Sequence, residues 1–294
     1  MKYLEEFIDY LSYEKNYSPH TVQAYCRDIE QFFESSCFSS KECSLNLLSV
    51  NHVRSWMVSL MDQGYEASSV KRKLSSLRVF SRYLLRVGIL ESDQLSLVEG
   101  PKLGRKLPDF IRSADLDKLL DGDFFTEDFI GLRDRLIIEL FYSTGIRLSE
   151  LIGLDECDVD LNSSQLKVLG KGNKERVIPF GETLSLRIQK YLEAKKTEVN
   201  KNSVAFFVRP NGLRLYPSLV YKVVKNNLAV ISSLVKCSPH VLRHSFATNM
   251  LNNGADLQVI KEILGHTSLS ATEVYTHTTF KELKKVYNQA HPRA

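Results

Sequence analysis

The sequence predicts a mainly helical protein with a small β-sheet, an α+β fold in two domains. Three observations predict it. Apolar residues recur at helical spacing through residues 1–88 and through most of 113–294. Two short strand-like runs, 165–169 and 175–179, flank Gly170-Lys171-Gly172-Asn173-Lys174, whose Gly and Asn supply the freedom of a hairpin loop. Between the two helical regions, residues 89–112 carry Gly100-Pro101, Gly104 and Pro108, a density that no helix survives. A length of 294 residues with 43% hydrophobic composition is enough for two cores.

The elements follow in order. Ser18-Pro19 is a helix start, Ser at the cap and Pro at the first helical position. Val22, Tyr25, Ile29, Phe32 and Phe33 continue that helix, and a further one fits 51–63, stopped by Gly64. From Val70 to Val87, Val70, Leu74, Leu77, Phe80, Leu84 and Val87 form an apolar stripe. Lys71, Arg78, Arg82 and Arg86 fall opposite it in a wedge of about 80°, at roughly 100° per residue. No acidic residue lies in 70–88, so this face reads either as solvated or as a row of cations for a phosphate backbone. The segment 89–112 reads as a basic linker, with Lys102, Arg105 and Lys106. In 113–294, Ile130–Tyr142 reads as an apolar helix broken by Thr144-Gly145, and Arg147 opens the next. Helices then fit 181–198, 217–232, 240–252, 257–263 and 280–290, with Gly254 and Gly265 as C-caps.

Charge and composition remove several classes. The net charge of +4 is modest, but residues 65–112 hold 10 basic and 5 acidic residues. No apolar run reaches the roughly 18 residues of a membrane span. Met1-Lys2-Tyr3-Leu4-Glu5-Glu6 is acidic and amphipathic, unlike a secretion signal. Five cysteines, odd in number and without a CxxC pair, speak for a reducing cytoplasm and against a disulfide framework.

The chemistry sits in scattered residues. His240 and His244 share a helix face, the spacing of a zinc site. However, Val241 stands where a metalloprotease needs Glu, and Arg243 repels a divalent cation. A core or capping role for one of these His is the plainer alternative. Arg147, Lys171 and Arg243 lie in three segments, and each alone reads as structural or solvated. Glu150, three residues after Arg147, is in position to brace it. Leu264-Gly265-His266 precedes Tyr275-Thr276-His277.

Together these residues resemble the tyrosine recombinases, or phage integrase family. Thr144-Gly145-Ile146-Arg147-Leu148-Ser149-Glu150-Leu151 resembles its first arginine box, and His240-Val241-Leu242-Arg243-His244 its His-x-x-Arg box. Leu264-Gly265-His266 and Tyr275-Thr276-His277 resemble the final boxes, and Lys171 sits at the family's hairpin lysine. Ser18-Pro19-His20-Thr21 with Tyr25 and Asp28, and the ending Ala290-His291-Pro292-Arg293-Ala294, are similar to the Xer subgroup, which resolves chromosome dimers.

The resemblance implies a core-binding domain at 1–88 and a catalytic domain at 113–294, forming a C-shaped clamp on DNA. Tyr275 is then the nucleophile. Arg147 and Arg243 face the non-bridging oxygens with planar forks, and His266 adds a hydrogen bond. His240 aids proton transfer at the attacking oxygen, and Lys171 protonates the leaving 5′-oxygen. The expected product is a 3′-phosphotyrosine, formed without metal, ATP or other cofactor. Expected partners are double-stranded DNA with a specific recombination site and a homo- or hetero-tetramer with a related recombinase on paired sites. A mobile-element integrase, a tyrosine topoisomerase and a catalytically silent DNA-binding protein are the alternatives. The stripe Leu283, Val286 and Tyr287 in 280–289 is too short to stand alone. It is expected to dock on a neighbouring subunit, the alternative being its own domain.

Overall fold

The computed structural model describes residues 2–36, 48–104, 110–170, 175–199, 203–231, 237–265 and 280–293. The chain divides into two compact units, Met1–Lys106 and Leu107–Ala294. Among the described residues no helix is long and apolar enough to cross a membrane. Cys26 and Cys157 are free thiols.

The first unit is helical: α1 (Lys2–Asp9), α2 (Pro19–Ser36), α3 (Val50–Asp62) and α4 (Ala67–Arg86), with a π-helical stretch over Tyr10–Glu14. Ser18 caps α2, its carbonyl accepting from the amides of Thr21 and Val22. Phe7, Phe32, Phe33 and Phe80 meet at the centre, largely edge to face. The apolar stripe of α4 is buried from Val70 to Leu84, whereas Val87 at its C-cap is exposed. Asp28 of α2 anchors the same helix. Buried itself, it accepts from Lys73 Nζ (3.0 Å), Ser76 Oγ (2.8 Å) and the Arg72 fork. Within the segment expected as linker, Leu95 and Val98 are buried in this unit's core, and Ile111 in that of the second.

The second unit is built around α6 (Phe129–Thr144), which packs against α8 (Glu182–Glu198), α9 (Pro217–Ile231) and α10 (Pro239–Asn252). Asp128 caps α6 by accepting from Gly131 N–H at 2.8 Å. Around this core lie α5 (Ser113–Asp121), α7 (Leu148–Gly153), α11 (Leu257–Leu264) and α12 (Phe280–Ala290). Among the described residues the sheet has three antiparallel strands in the order β1 (Val159–Asp160), β2 (Gln165–Leu169) and β3 (Glu175–Pro179). Leu166 pairs with Ile178 and Val168 with Arg176, so Arg176 takes a slot on the buried face of the sheet.

In the single chain, α12 takes the alternative the sequence left open: Leu283, Tyr287 and Ala290 are buried in the core of their own domain. The tail is fastened beyond them. His291 stacks on Tyr287 with ring centroids 5.0 Å apart, and Arg293 donates to Glu139, Asp117 and Asp121. An 11-residue helix with no stable existence of its own finds its apolar partner within the chain.

Candidate active site

Two left-handed glycines shape the site. Gly145 ends α6 at φ +59°, and Gly265 ends α11 at φ +64°. A Cβ on Gly145 would come within 2.6 Å of Leu264 and 2.7 Å of Phe246, so the ends of α6 and α11 meet α10 at backbone-to-side-chain contact. Ile146 is buried immediately after the turn, and Arg147 becomes the N-cap of α7.

Arg147 is braced as expected. Its N–H donates to Glu150 Oε2 and its Nη1 to Glu150 Oε1, both at 2.8 Å, while Nη2 donates to the Gly265 carbonyl at 2.8 Å. Arg243 reaches the same place from α10, donating to the carbonyls of Gly145 and Leu264 (2.7 Å to the latter). His240, one turn earlier on α10, is exposed.

A third cation completes the cluster and has no periodic signal in the sequence. Arg176 of β3 donates to both oxygens of Glu150, at 2.7 and 2.8 Å, and through Nε to the Ile263 carbonyl at 2.8 Å. The clue available beforehand is its phase: Arg176 alternates with Ile178 on the inward face of a strand, where a cation needs a buried acid. Three successive carbonyls at the end of α11, those of Ile263, Leu264 and Gly265, thus each receive a different arginine. This is the terminus where orphan acceptors and the helix dipole favour cations.

The electrostatics follow from the packing. Burial alone would raise the Glu150 carboxyl, but the Arg176 fork and the Arg147 amide and guanidinium outweigh it and hold it at about 2. Burial, with Arg147 and Arg176 as like charges, lowers Arg243 to about 10. Three guanidinium groups share one carboxylate, so the pocket carries an excess of positive charge suited to a phosphate. Lys171, His266 and Tyr275 lie outside the described residues, as do Arg105 and Lys106. His266 follows Gly265 directly in the chain.

The expected DNA-binding cations divide in two. Lys71, Arg82 and Lys102 are exposed. Arg78 instead donates to the carbonyls of Leu95 and Val98, and Arg86 pairs with Glu14 at 2.9 Å over the Tyr10 ring.

Comparison with known proteins identifies the family. The family model described as "Phage integrase family" matches residues 109–282, and that of the "Phage integrase, N-terminal SAM-like domain" matches 4–88. The tyrosine recombinase XerC of Chlorobaculum parvum is 40% identical over 322 aligned positions, covering 100% of this chain and 95% of the relative. The chain belongs to the tyrosine recombinases, the phage integrase family. The tyrosine recombinase XerD of Oceanobacillus iheyensis is 36% identical, covering 99% of this chain and 98% of its own. Among solved structures, the XerH recombinase bound to its difH substrate shares the fold at TM-score 0.68 and 22% identity, covering 96% of this chain and 82% of that one. The Tn1549 transposon integrase bound to transposon-end DNA does so at TM-score 0.68 and 18% identity, covering 96% and 97%. As a tyrosine recombinase, the chain is an enzyme that breaks and rejoins DNA strands through a covalent tyrosine intermediate.

Proposed function

We propose that this recombinase acts at a specific duplex site and that Arg147 and Arg243 bind the scissile phosphate between them. The observation that carries the reading is the convergence of these two arginines, from α7 and α10, on the end of α11, one residue before His266. Tyr275 attacks the phosphorus. Its oxygen forms the new P–O bond as the bond to the 5′-oxygen breaks, and Lys171 gives the leaving oxygen its proton. His240 takes part in proton transfer at the attacking oxygen, and His266 donates to the phosphate. The arginine forks stabilise the charge that builds on the non-bridging oxygens, the place that metal ions fill in many nucleases. The 3′-phosphotyrosine keeps the linkage energy, so a 5′-hydroxyl from another strand reseals it without ATP.

The domain reading that goes with this is a helical DNA-binding region at 1–88, a basic linker at 89–112 and a catalytic region at 113–294. Lys71, Arg82, Lys102, Arg105 and Lys106 serve the phosphate backbone. Recombination between two duplexes requires four such chains, alike or of two related kinds. The relatives named XerC and XerD support a role in resolving chromosome dimers in the cytoplasm before cell division.

The deciding experiment uses a nicked suicide duplex carrying a candidate site. Wild-type protein should form a covalent adduct in excess EDTA, and Tyr275→Phe should bind the duplex without forming it. An adduct of normal yield in Tyr275→Phe, or strict dependence on a divalent metal, would reject the mechanism.

A further inference from the structure

Arg147, Arg176 and Arg243 all end on α11, but their bonding differs. Arg176 commits all three of its nitrogens to the protein: Nη1 and Nη2 to Glu150, Nε to Ile263. Only 12% of its side chain is exposed, and its stem lies under Gly265, where an added Cβ would stand 3.1 Å from Arg176 Cδ. Arg147 uses two of its five N–H groups on protein acceptors among the described residues, besides its backbone amide. Arg176 is therefore built to hold other groups, and Arg147 to meet a ligand.

We propose that Arg176 is a positioning residue for strand cleavage: it pins the last turn of α11 and the Glu150 carboxylate, and so sets the aim of Arg147 and Arg243. This rests on the reading of those two arginines as ligands of the scissile phosphate. The chain of contacts is continuous. Arg176 grips Glu150, and Glu150 grips both the guanidinium and the amide of Arg147. Arg176 also holds Ile263, whose two successors in the chain accept from Arg243 and Arg147. Removing the fork leaves Glu150 buried with Arg147 as its remaining direct partner. Arg243 contributes at longer range, and the groove beyond is lined by Asp155, Asp158, Lys167 and Glu175. Of these, Lys167 and Glu175 pair with each other at 2.9 Å, and Asp155 with Arg214. Burial then raises the carboxyl, and once protonated it no longer braces Arg147 as an anion.

The test is single-turnover cleavage of pre-bound suicide duplex by the full chain, for wild type, Arg176→Gln and Arg176→Lys, across about pH 5 to 8. Arg176→Gln should bind DNA within about two-fold of wild type and cleave about 10²-fold more slowly, as misaimed catalytic groups do. Its rate should fall further as pH drops through the raised Glu150 value. Wild type, with Glu150 at about 2, supplies the baseline set by the other groups, and the acid limb is read as the difference from that baseline. Arg176→Lys keeps a charge beside Glu150 without the two-point grip, so it should lose the acid limb and keep a reduced rate. Cleavage by Arg176→Gln within about two-fold of wild type at every pH overturns the proposal, as does equal loss of binding and cleavage without pH dependence. If circular dichroism shows Arg176→Gln unfolded, Arg176→Lys decides: a wild-type rate on bound DNA overturns, and a reduced rate with intact binding supports. Tyr275→Phe and Arg147→Ala run alongside. Should they cleave normally, the phosphate reading itself fails. Should they fail to cleave while Arg176→Gln succeeds, only the positioning role falls.

Discussion

Arg147 and Arg243 hold their charge in different surroundings. The Arg147 side chain is 29% exposed and braced by a carboxylate, whereas Arg243 is more deeply desolvated and lies near two like charges. On the proposed reading of these two arginines, a phosphate entering between them would relieve that repulsion, so the same pocket would both bind and activate. Arg147→Ala should therefore lower the cleavage rate of bound DNA by about 10² to 10³, typical of one lost oxyanion donor, with a much smaller change in affinity. A gel-shift titration beside single-turnover cleavage separates the two effects. The exposed cations of α4 should behave in the opposite way. Lys71→Glu with Arg82→Glu should weaken DNA binding and flatten its dependence on salt, while bound DNA is still cut. Arg78 is a poor choice for that experiment, because its guanidinium holds the carbonyls of Leu95 and Val98 and reversing it would unfasten that segment. If the Lys71/Arg82 pair left the salt slope unchanged, α4 would not be the phosphate-facing helix.

The elements show where sequence patterns speak and where they are silent. A long apolar stripe announces α4 because burial on one face must repeat with the helical period, and α6 shows as an apolar run because it is buried on nearly every side from Leu136 to Thr144. The hairpin strands at 165–169 and 175–179 are legible from their turn residues. α5 is missing from the sequence reading because its three apolar positions, Leu116, Leu119 and Leu120, are too few to establish a period. β1 has two residues and shows no alternation at all. Arg147, Glu150 and Arg243 are legible as a set from local spacing and family resemblance, but Arg176 joins them only through the fold, across 26 residues of chain from Glu150. Gly145 is the element-scale hinge of this arrangement. Gly145→Ala should cost about 1–2 kcal/mol of left-handed strain. The contacts at 2.6 and 2.7 Å to Leu264 and Phe246 should add about 1–3 kcal/mol of overpacking. A thermal melt should show the loss, and an unchanged midpoint would mean that Phe246 and Leu264 have room to yield.

At the scale of the whole chain, the C-terminal tail ties the catalytic unit to itself. Arg293 reaches Glu139 of α6 and Asp117 and Asp121 of α5, while Arg187 of α8 pairs with the other oxygen of Glu139 at 2.8 Å. Deleting 280–294 would strip Leu283, Tyr287 and Ala290 from the core, so truncation tests folding before it tests assembly. A gentler probe is pH. His291 Nδ1 accepts from the Arg293 amide, which leaves Nε2 to donate to the Tyr142 carbonyl at 3.2 Å in the neutral ring. Burial lowers its pKa from 6.5 to about 4. The unfolded chain takes up a proton below the ordinary value while the folded chain does not. Stability is therefore lost as pH falls from 6.5 towards 4, by up to about 3 kcal/mol. Urea melts of wild type and His291→Gln across that interval should converge as pH falls. Parallel pH profiles would show that this ring does not govern the acid response.

Because three arginines from three separate segments meet three consecutive carbonyls, α11 works as a length gauge. One residue inserted within it would turn its end by about 100° and advance it by about 1.5 Å, so that each cation would face the wrong oxygen. Exposed positions such as Leu257 and Lys261 can drift in identity, whereas the count of residues from Leu257 to Gly265 cannot. When related chains are aligned, their gaps should fall in the turn before residue 257 and never inside the gauge.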